Sequence, residues 1–306
     1  MSQSYYTQQV QLLVRVLPLI DTEKCFALKG GTAINLFYRP LPRLSVDIDL
    51  LYIPMDEREH ALPAIHAALG RISALIQKTL VGTRVQNAFE QSDALRLIVQ
   101  QGEIRIKIEL SPVIRGTVFP EQRMQVCAAV EKTFGFAEMQ VASLPDLYAG
   151  KLCAALDRQH PRDLFDVKFL FDNEGLTEDL RKTFLAFLIS HHRPMAELLD
   201  PHRKDIRGIY NAEFVQMVQA DVSVEELEAT REQLVETIHA QLTDDEKNFL
   251  MSFKSKAPDW NLLGVKDHAV IASLPSVRWK MRNLQQMPEK KHEEALQKLR
   301  QALRFK

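Results

Sequence analysis

Asp47 and Asp49 stand two residues apart in the run Val46-Asp47-Ile48-Asp49-Leu50-Leu51-Tyr52-Ile53. The apolar neighbours predict a strand, and alternate residues of a strand share a face. Both carboxylates therefore point one way, with Leu51, while Val46, Ile48 and Leu50 point the other. Carboxylates are depleted in strands, so a pair on one face asks for a reason. Either the strand end meets solvent or an arginine such as Arg43, or the pair holds a divalent metal. Upstream, Gly30-Gly31-Thr32 follows a short apolar strand at 24–28 and precedes Ala33, Ile34, Leu36 and Phe37, which are spaced as one face of a helix. Glycines at such a turn let the backbone approach a ligand, with the helix N-terminus aimed at an anion. A bland strand-turn-helix has the same pattern. Together with the two acids, the turn suggests a site for a divalent metal and a phosphate chain.

Further chemistry lies downstream. The segments 94–99 and 103–110 flank Gln100-Gln101-Gly102 and predict a β-hairpin. In its second strand Ile104, Ile106, Ile108 and Leu110 form a buried face, and Arg105, Lys107 and Glu109 the other. If this strand lies beside that of Asp47 and Asp49, Glu109 completes a three-carboxylate cluster of the hard oxygen donors that suit Mg²⁺. Otherwise Glu109 belongs to a solvated face. Lys151, Arg158, Arg162, Asp163 and Asp166 crowd into a short helix-turn-helix, a pattern shared by salt-bridged surface loops.

The elements that must position these residues divide near 140–145. Before it the sequence predicts strands among helices. A helix at 8–18 stops before Pro18, another covers 62–80, and short strands lie around 126–130 and 137–141. After it come helices only. Leu144-Pro145-Asp146 carries helix-start signals and opens a helix to Arg158, and Arg162 opens another ending near Phe171. Further helices fit 195–200, 204–219, 223–241, 243–254 and 266–282 around Pro275, with one through Leu180, Phe184, Phe187 and Leu188. A basic amphipathic tail carries Lys290, Lys291, Lys298, Arg300, Arg304 and Lys306, either for packing or for a nucleic-acid contact. The fold class is α+β: a mixed sheet with flanking helices over 1–142, then a helical part over 143–306.

Composition narrows the setting. The 306 residues are 46% hydrophobic and 26% charged, with a formal net charge of -1, so any nucleic-acid surface must be a local patch such as Arg158 and Arg162 or the tail. Cys25, Cys127 and Cys153 have no metal spacing, and so sparse a set argues for a reducing cytosol. The N-terminal segment lacks signal-peptide character, and no apolar run reaches the length of a membrane span.

The order of the motifs, Gly30-Gly31-Thr32, then Arg43-x-Ser45-x-Asp47-Ile48-Asp49, Glu109, Lys151 and Arg162-Asp163-x-x-Asp166, resembles the AbiEii/AbiGii toxin family, which includes the MenT toxins, over about residues 26–170. The resemblance implies a nucleotidyltransferase core. Gly30, Gly31 and Thr32 would cradle an NTP, with Lys29, Arg43, Ser45, Arg162 and Asp163 in the nucleotide site. Asp47 and Asp49, joined by Glu109, would hold Mg²⁺. Lys151 would match the essential lysine of the helical part, and Asp166 or Asp163 the acid of its last motif. It further implies a toxin paired with an antitoxin, in a toxin–antitoxin or phage-defence system, transferring nucleotides to RNA as MenT members do to the tRNA 3′ end. Two other readings stay open: a protein or small molecule as acceptor, and a regulatory binding protein with a degenerate core. The expected setting is cytoplasmic, with no membrane partner and with a catalytic cleft between the two parts.

Overall fold

A computed structural model describes residues 3–87, 95–218 and 220–305. Ala94, Gln219 and Lys306, which the expected strand, helix and tail include, lie outside the described residues. The contacts divide the chain into two compact units. The first holds residues 1–147 with 213–221, and the second 148–212 with 222–306.

The first unit is built on a sheet. In chain order come α1 (Gln3–Ile20), β1 (Phe26–Lys29), α2 (Gly30–Ala33), β2 (Asp47–Tyr52), α3 (Arg58–Thr79), β3 (Thr83–Asn87), β4 (Leu95–Gln101), β5 (Ile104–Arg115), β6 (Gln122–Gln125), α4 (Ala128–Phe134) and β7 (Glu138–Val141). The strands form one 7-stranded sheet in the order β3-β4-β5-β2-β1-β7-β6. β2 runs parallel to β5 and β1 to β7; the other neighbours are antiparallel. The expected hairpin is β4–β5, and the expected strand alternation is kept: Ile48, Leu50, Ile106 and Ile108 are buried, while Asp47, Asp49 and Glu109 are half-buried and Lys107 is exposed. α1 and α3 touch each other and pack on the sheet. Val10, Leu13, Leu17 and Ile20 of α1 are fully buried, as are Ile65 and Ile72 of α3.

Several boundaries differ from the sequence reading. α1 continues through Pro18. Proline removes one backbone bond in a helix, but buried Leu17 and Ile20 hold the last turn in place. The segment at 126–130, read as a strand, is instead the start of α4, with Cys127 at its N-cap. An apolar run so short does not separate strand from helix by periodicity, and the strand there is β6, just upstream. β3 went unrecognised because its residues, Thr83-Arg84-Val85-Gln86-Asn87, carry little apolar alternation. The helix expected over 204–219 is broken into a short turn, α9 (Arg207–Ile209), a π-helical turn at Tyr210–Phe214 and a 3₁₀ turn at Val215–Met217. Residues 213–221 belong to the first unit, where Val218 bridges Arg43 and Leu44 N–H donates to Met217 C=O at 2.7 Å.

α5 (Leu144–Asp157) starts in the first unit and continues into the second. The second unit continues with α6 (Pro161–Asn173), α7 (Glu178–Ser190), α8 (Met195–Leu199), α10 (Val224–Gln241), α11 (Asp244–Lys254), α12 (His268–Ser273), α13 (Pro275–Gln285) and α14 (Glu289–Ala302). Ser223 with Glu226, and Thr243 with Glu246, form capping boxes that fix the starts of α10 and α11. The single helix expected around Pro275 is two, and Pro275 opens the second at the first helical position, where its missing N–H costs no hydrogen bond. The basic tail, α14, packs on α8 and α11 with Leu299 and Leu303 buried, while Lys290, Lys291, Lys298 and Arg300 are exposed. Among the described residues no helix is long and apolar enough to cross a membrane.

Candidate active site

In the first unit the sheet register lines up charged residues. Lys29 of β1 pairs with Asp49 of β2, Asp49 with Glu109 of β5, and Glu109 with Arg96 of β4. Asp47 pairs with Lys107. Partners in register share a face, so Lys29, Asp49, Glu109 and Arg96 form a row across four strands, with Asp47 one step along. Glu109 thus lies beside the aspartate strand, as the three-carboxylate reading required. Its Oε1, however, is 2.7 Å from Arg96 Nε. Asp47, Asp49 and Glu109 also do not gather as a three-ligand group with donor atoms within 4.8 Å of one another; among the described residues that group is Asp157, His191 and His192. Arg96 was missed by sequence reasoning. Counting back from the Gly102 turn would have found it opposite Glu109.

The glycine turn sits against these acids. Gly30 has φ +73, a left-handed conformation that L side chains rarely adopt, and a Cβ there would collide with the Asp49 carboxylate. A Cβ on Gly31 would stand 2.6 Å from Arg43 Nη2 and 3.1 Å from Ser45 Oγ. Close approach therefore favours glycine at both positions, and backbone shape adds to it at Gly30. Lys29 at the N-cap of α2 supplies no side-chain cap to the first N–H groups, the groups that anions bind at helix starts. Fully buried Thr32 donates its hydroxyl to the Asp47 carbonyl, is 3.0 Å from Ser45 Oγ, and so ties the helix start to the aspartate strand. Asn35 Nδ2 donates to Gly31 C=O at 2.8 Å. After α2 the helix widens into a π-turn at Ile34–Tyr38. Buried Arg43 donates to Leu44 C=O at 3.0 Å. Lys29, Gly30, Gly31, Thr32, Arg43, Ser45, Asp47 and Asp49 thus form one connected neighbourhood.

Two carboxylates suit a hard divalent cation. The donor chemistry of Asp47 and Asp49 fits such an ion, with the Asp49 carboxylate beside the glycine backbone. Glu109 fits as a neighbour in register whose carboxylate is shared with Arg96.

In the second unit Lys151 of α5 reaches both acids of α6. Its Nζ is 2.8 Å from Asp163 Oδ1 and 3.0 Å from Asp166 Oδ2, with side-chain exposures of 7%, 1% and 1%. Lys151 and Arg158 lie seven positions apart, two turns along one helix face. Arg158 Nε and Nη2 both bond Asp163, from a largely exposed position. Burial alone would raise the Asp163 pKa, but Lys151 and then Arg158 hold it well below the usual carboxylate range. Lys151 and Arg158 set positive charge against these carboxylates, and buried charges are tolerated when they are paired in this way. The cluster that resembled a surface loop is therefore a buried network, and Lys151 selects both Asp163 and Asp166. Arg162 is half-buried in the first turn of α6, where its backbone N–H donates to His160 Nδ1.

Asp146 was read only as a helix-start residue. It accepts from Val118 and Phe119 N–H at 2.8 and 3.0 Å and from Ser143 Oγ at 2.6 Å, and burial raises its pKa. It anchors the loop before β6. Burial similarly pushes the Tyr38 phenol up to about 12, and its hydroxyl donates to Ala142 C=O at 3.1 Å.

A mixed sheet carrying a Gly-Gly turn against an Asp-x-Asp strand has the architecture of a nucleotidyltransferase. A family model described as nucleotidyl transferase AbiEii toxin, type IV toxin–antitoxin system, matches residues 11–283. The chain belongs to this family of toxin nucleotidyltransferases. Among solved structures it is similar in fold to MenT4, a nucleotidyltransferase toxin from Mycobacterium tuberculosis H37Rv, with a TM-score of 0.63 at 16% identity, covering 90% of this chain and 95% of that one. No curated protein sequence matches.

Proposed function

We propose that this chain transfers a nucleoside monophosphate from an NTP to an RNA acceptor, foremost the tRNA 3′ end, with a divalent metal such as Mg²⁺, in the bacterial cytoplasm and under control of a cognate antitoxin. The observation that carries this reading is the row of Lys29, Asp49 and Glu109 across β1, β2 and β5, beside the Gly30-Gly31 turn.

Asp47 and Asp49 would hold the metal, with Glu109 as a third carboxylate. When bound, the ion would neutralise charge on the phosphates and on the leaving pyrophosphate. The backbone N–H groups of Gly30, Gly31 and Thr32 bind the triphosphate, and Arg43 and Ser45 hold the turn in shape. Lys29 and Arg162 add positive charge for the nucleotide. Glu109, beside Asp49, accepts the proton of the attacking hydroxyl or orients Asp49. Lys151 serves as the fixed cation of the helical unit, with Asp163 and Asp166 holding its ammonium in place.

Induced expression in a bacterial host tests this reading. Wild type is expected to arrest growth. Asp47→Ala and Asp49→Ala, at equal soluble level, are expected not to. Undiminished arrest by both variants would overturn the enzymatic reading.

A further inference from the structure

Asp157 is the last residue of α5, and His191 is the C-cap of α7. With His192 they form a cluster, within the second unit, that nucleotidyl transfer does not use. One donor atom from each of the three lies within 4.8 Å of the others. His191 Nε2 is 4.0 Å and His192 Nε2 3.6 Å from the same oxygen, Asp157 Oδ2. The two rings lie 4.3 Å apart, tilted by 33°. Tetrahedral ligands with metal bonds of about 2.0–2.1 Å lie roughly 3.3 Å from one another, so a small inward movement would close the set.

The surroundings hold these groups in place. Asp157 Oδ1 is taken by Arg193 Nε, leaving Oδ2 for the imidazoles. A ligating carboxylate is commonly held in this way through its other oxygen. Lys280 Nζ donates to the carbonyls of His191, His192 and Arg193 and pins the loop. Lys204 Nζ donates to Asp157 C=O at 2.8 Å. Two helix C-termini meet here, each favouring a cation.

We propose that Asp157, His191 and His192 form a binding site for a borderline divalent metal of the Zn²⁺ class. Two imidazoles and one carboxylate suit Zn²⁺, Co²⁺ or Ni²⁺ and not Mg²⁺ or Ca²⁺, which select oxygen donors. The nearby Arg193 and Lys280 cations further disfavour an ion held by charge alone. His191 Nδ1 accepts the Arg193 N–H at 3.2 Å; metal at Nε2 moves the ring proton to Nδ1 and gives up that bond. Three protein ligands leave a fourth position for water or an external ligand, and the ion ties the end of α5 to the loop after α7.

The test is a calorimetric titration of chelator-stripped full-length protein with Zn²⁺ in excess Mg²⁺, with Co²⁺ as a spectroscopic probe. One Zn²⁺ per chain is expected, with a raised melting temperature and visible Co²⁺ bands typical of nitrogen ligands. His192→Ala, at a side chain 70% exposed and so without consequence for folding, and His191→Gln are each expected to weaken binding by at least about tenfold. Asp47→Ala is expected to leave it unchanged. Absence of Zn²⁺ binding, binding that survives both histidine changes, or binding lost in Asp47→Ala would each overturn the proposal.

Discussion

Replacing Lys151 with alanine removes an ammonium from between two carboxylates that are each 1% exposed. Arg158 still reaches Asp163, but from a side chain 63% exposed, where water screens it. Removing one partner of a buried ionic network costs about 3–5 kcal/mol. For a unit of this size, each kcal/mol lowers the melting temperature by about 2–4 °C, so Lys151→Ala is expected to melt roughly 6–20 °C below wild type at neutral pH. The pH dependence has a definite sign. Asp163 is held below its ordinary value in the folded state, so its contribution is complete above the unfolded carboxylate pKa of about 3.9 and is lost as pH falls from there toward the depressed folded value. The variant lacks much of that depression, so the gap between the two proteins narrows over the same acid window. Thermal melts followed by circular dichroism at neutral pH and near pH 3 measure both effects. A Lys151→Ala protein melting within about 2 °C of wild type at neutral pH would refute the charge-balance argument, since even the lower bound predicts a larger drop. Loss of transfer in this variant is meaningful only when assayed below its own melting temperature.

Gly30→Ala sets a Cβ into the Asp49 carboxylate at a backbone φ of +73; transfer is expected to fall at least about 100-fold, as when a group near the chemistry is misplaced by roughly 1 Å, measured by single-turnover NTP consumption. Glu109→Gln keeps the size but not the charge facing Arg96 and Asp49; transfer is expected to drop about 10- to 100-fold, the range for a residue orienting a metal ligand. Chelation with EDTA is expected to abolish transfer and Mg²⁺ to restore it, as read by pyrophosphate release.

The sheet's chemistry was legible because alternation is a local property. Placing Asp47 with Asp49, and Glu109 on the polar side of its strand, needed only the two-residue period. That β2 and β5 are neighbours did not follow from the period, because strand order is set by long-range packing. Charge density alone left the Lys151 cluster open between a surface loop and a site. Its burial is set by long-range packing that charge density does not report; Leu152, Leu156, Phe165 and Val167 of the same two helices are buried with it. The broken segment at 204–219 carried enough apolar residues to read as helix, while its pairing of Val218 with Arg43 is a contact between residues far apart in sequence. Asp157, His191 and His192 were invisible for the same reason: their spacing matches no motif, and only the close approach of two helix ends brings them together.

The most direct test of nucleotidyl transfer to RNA is incubation of the protein with total tRNA, a protein mixture, Mg²⁺ and each α-labelled NTP in turn, followed by separation of the acceptors. Label is expected in tRNA, confined to the 3′ end, for wild type, and absent for Asp49→Ala. Label in protein with none in RNA, or equal labelling by wild type and Asp49→Ala, would contradict it.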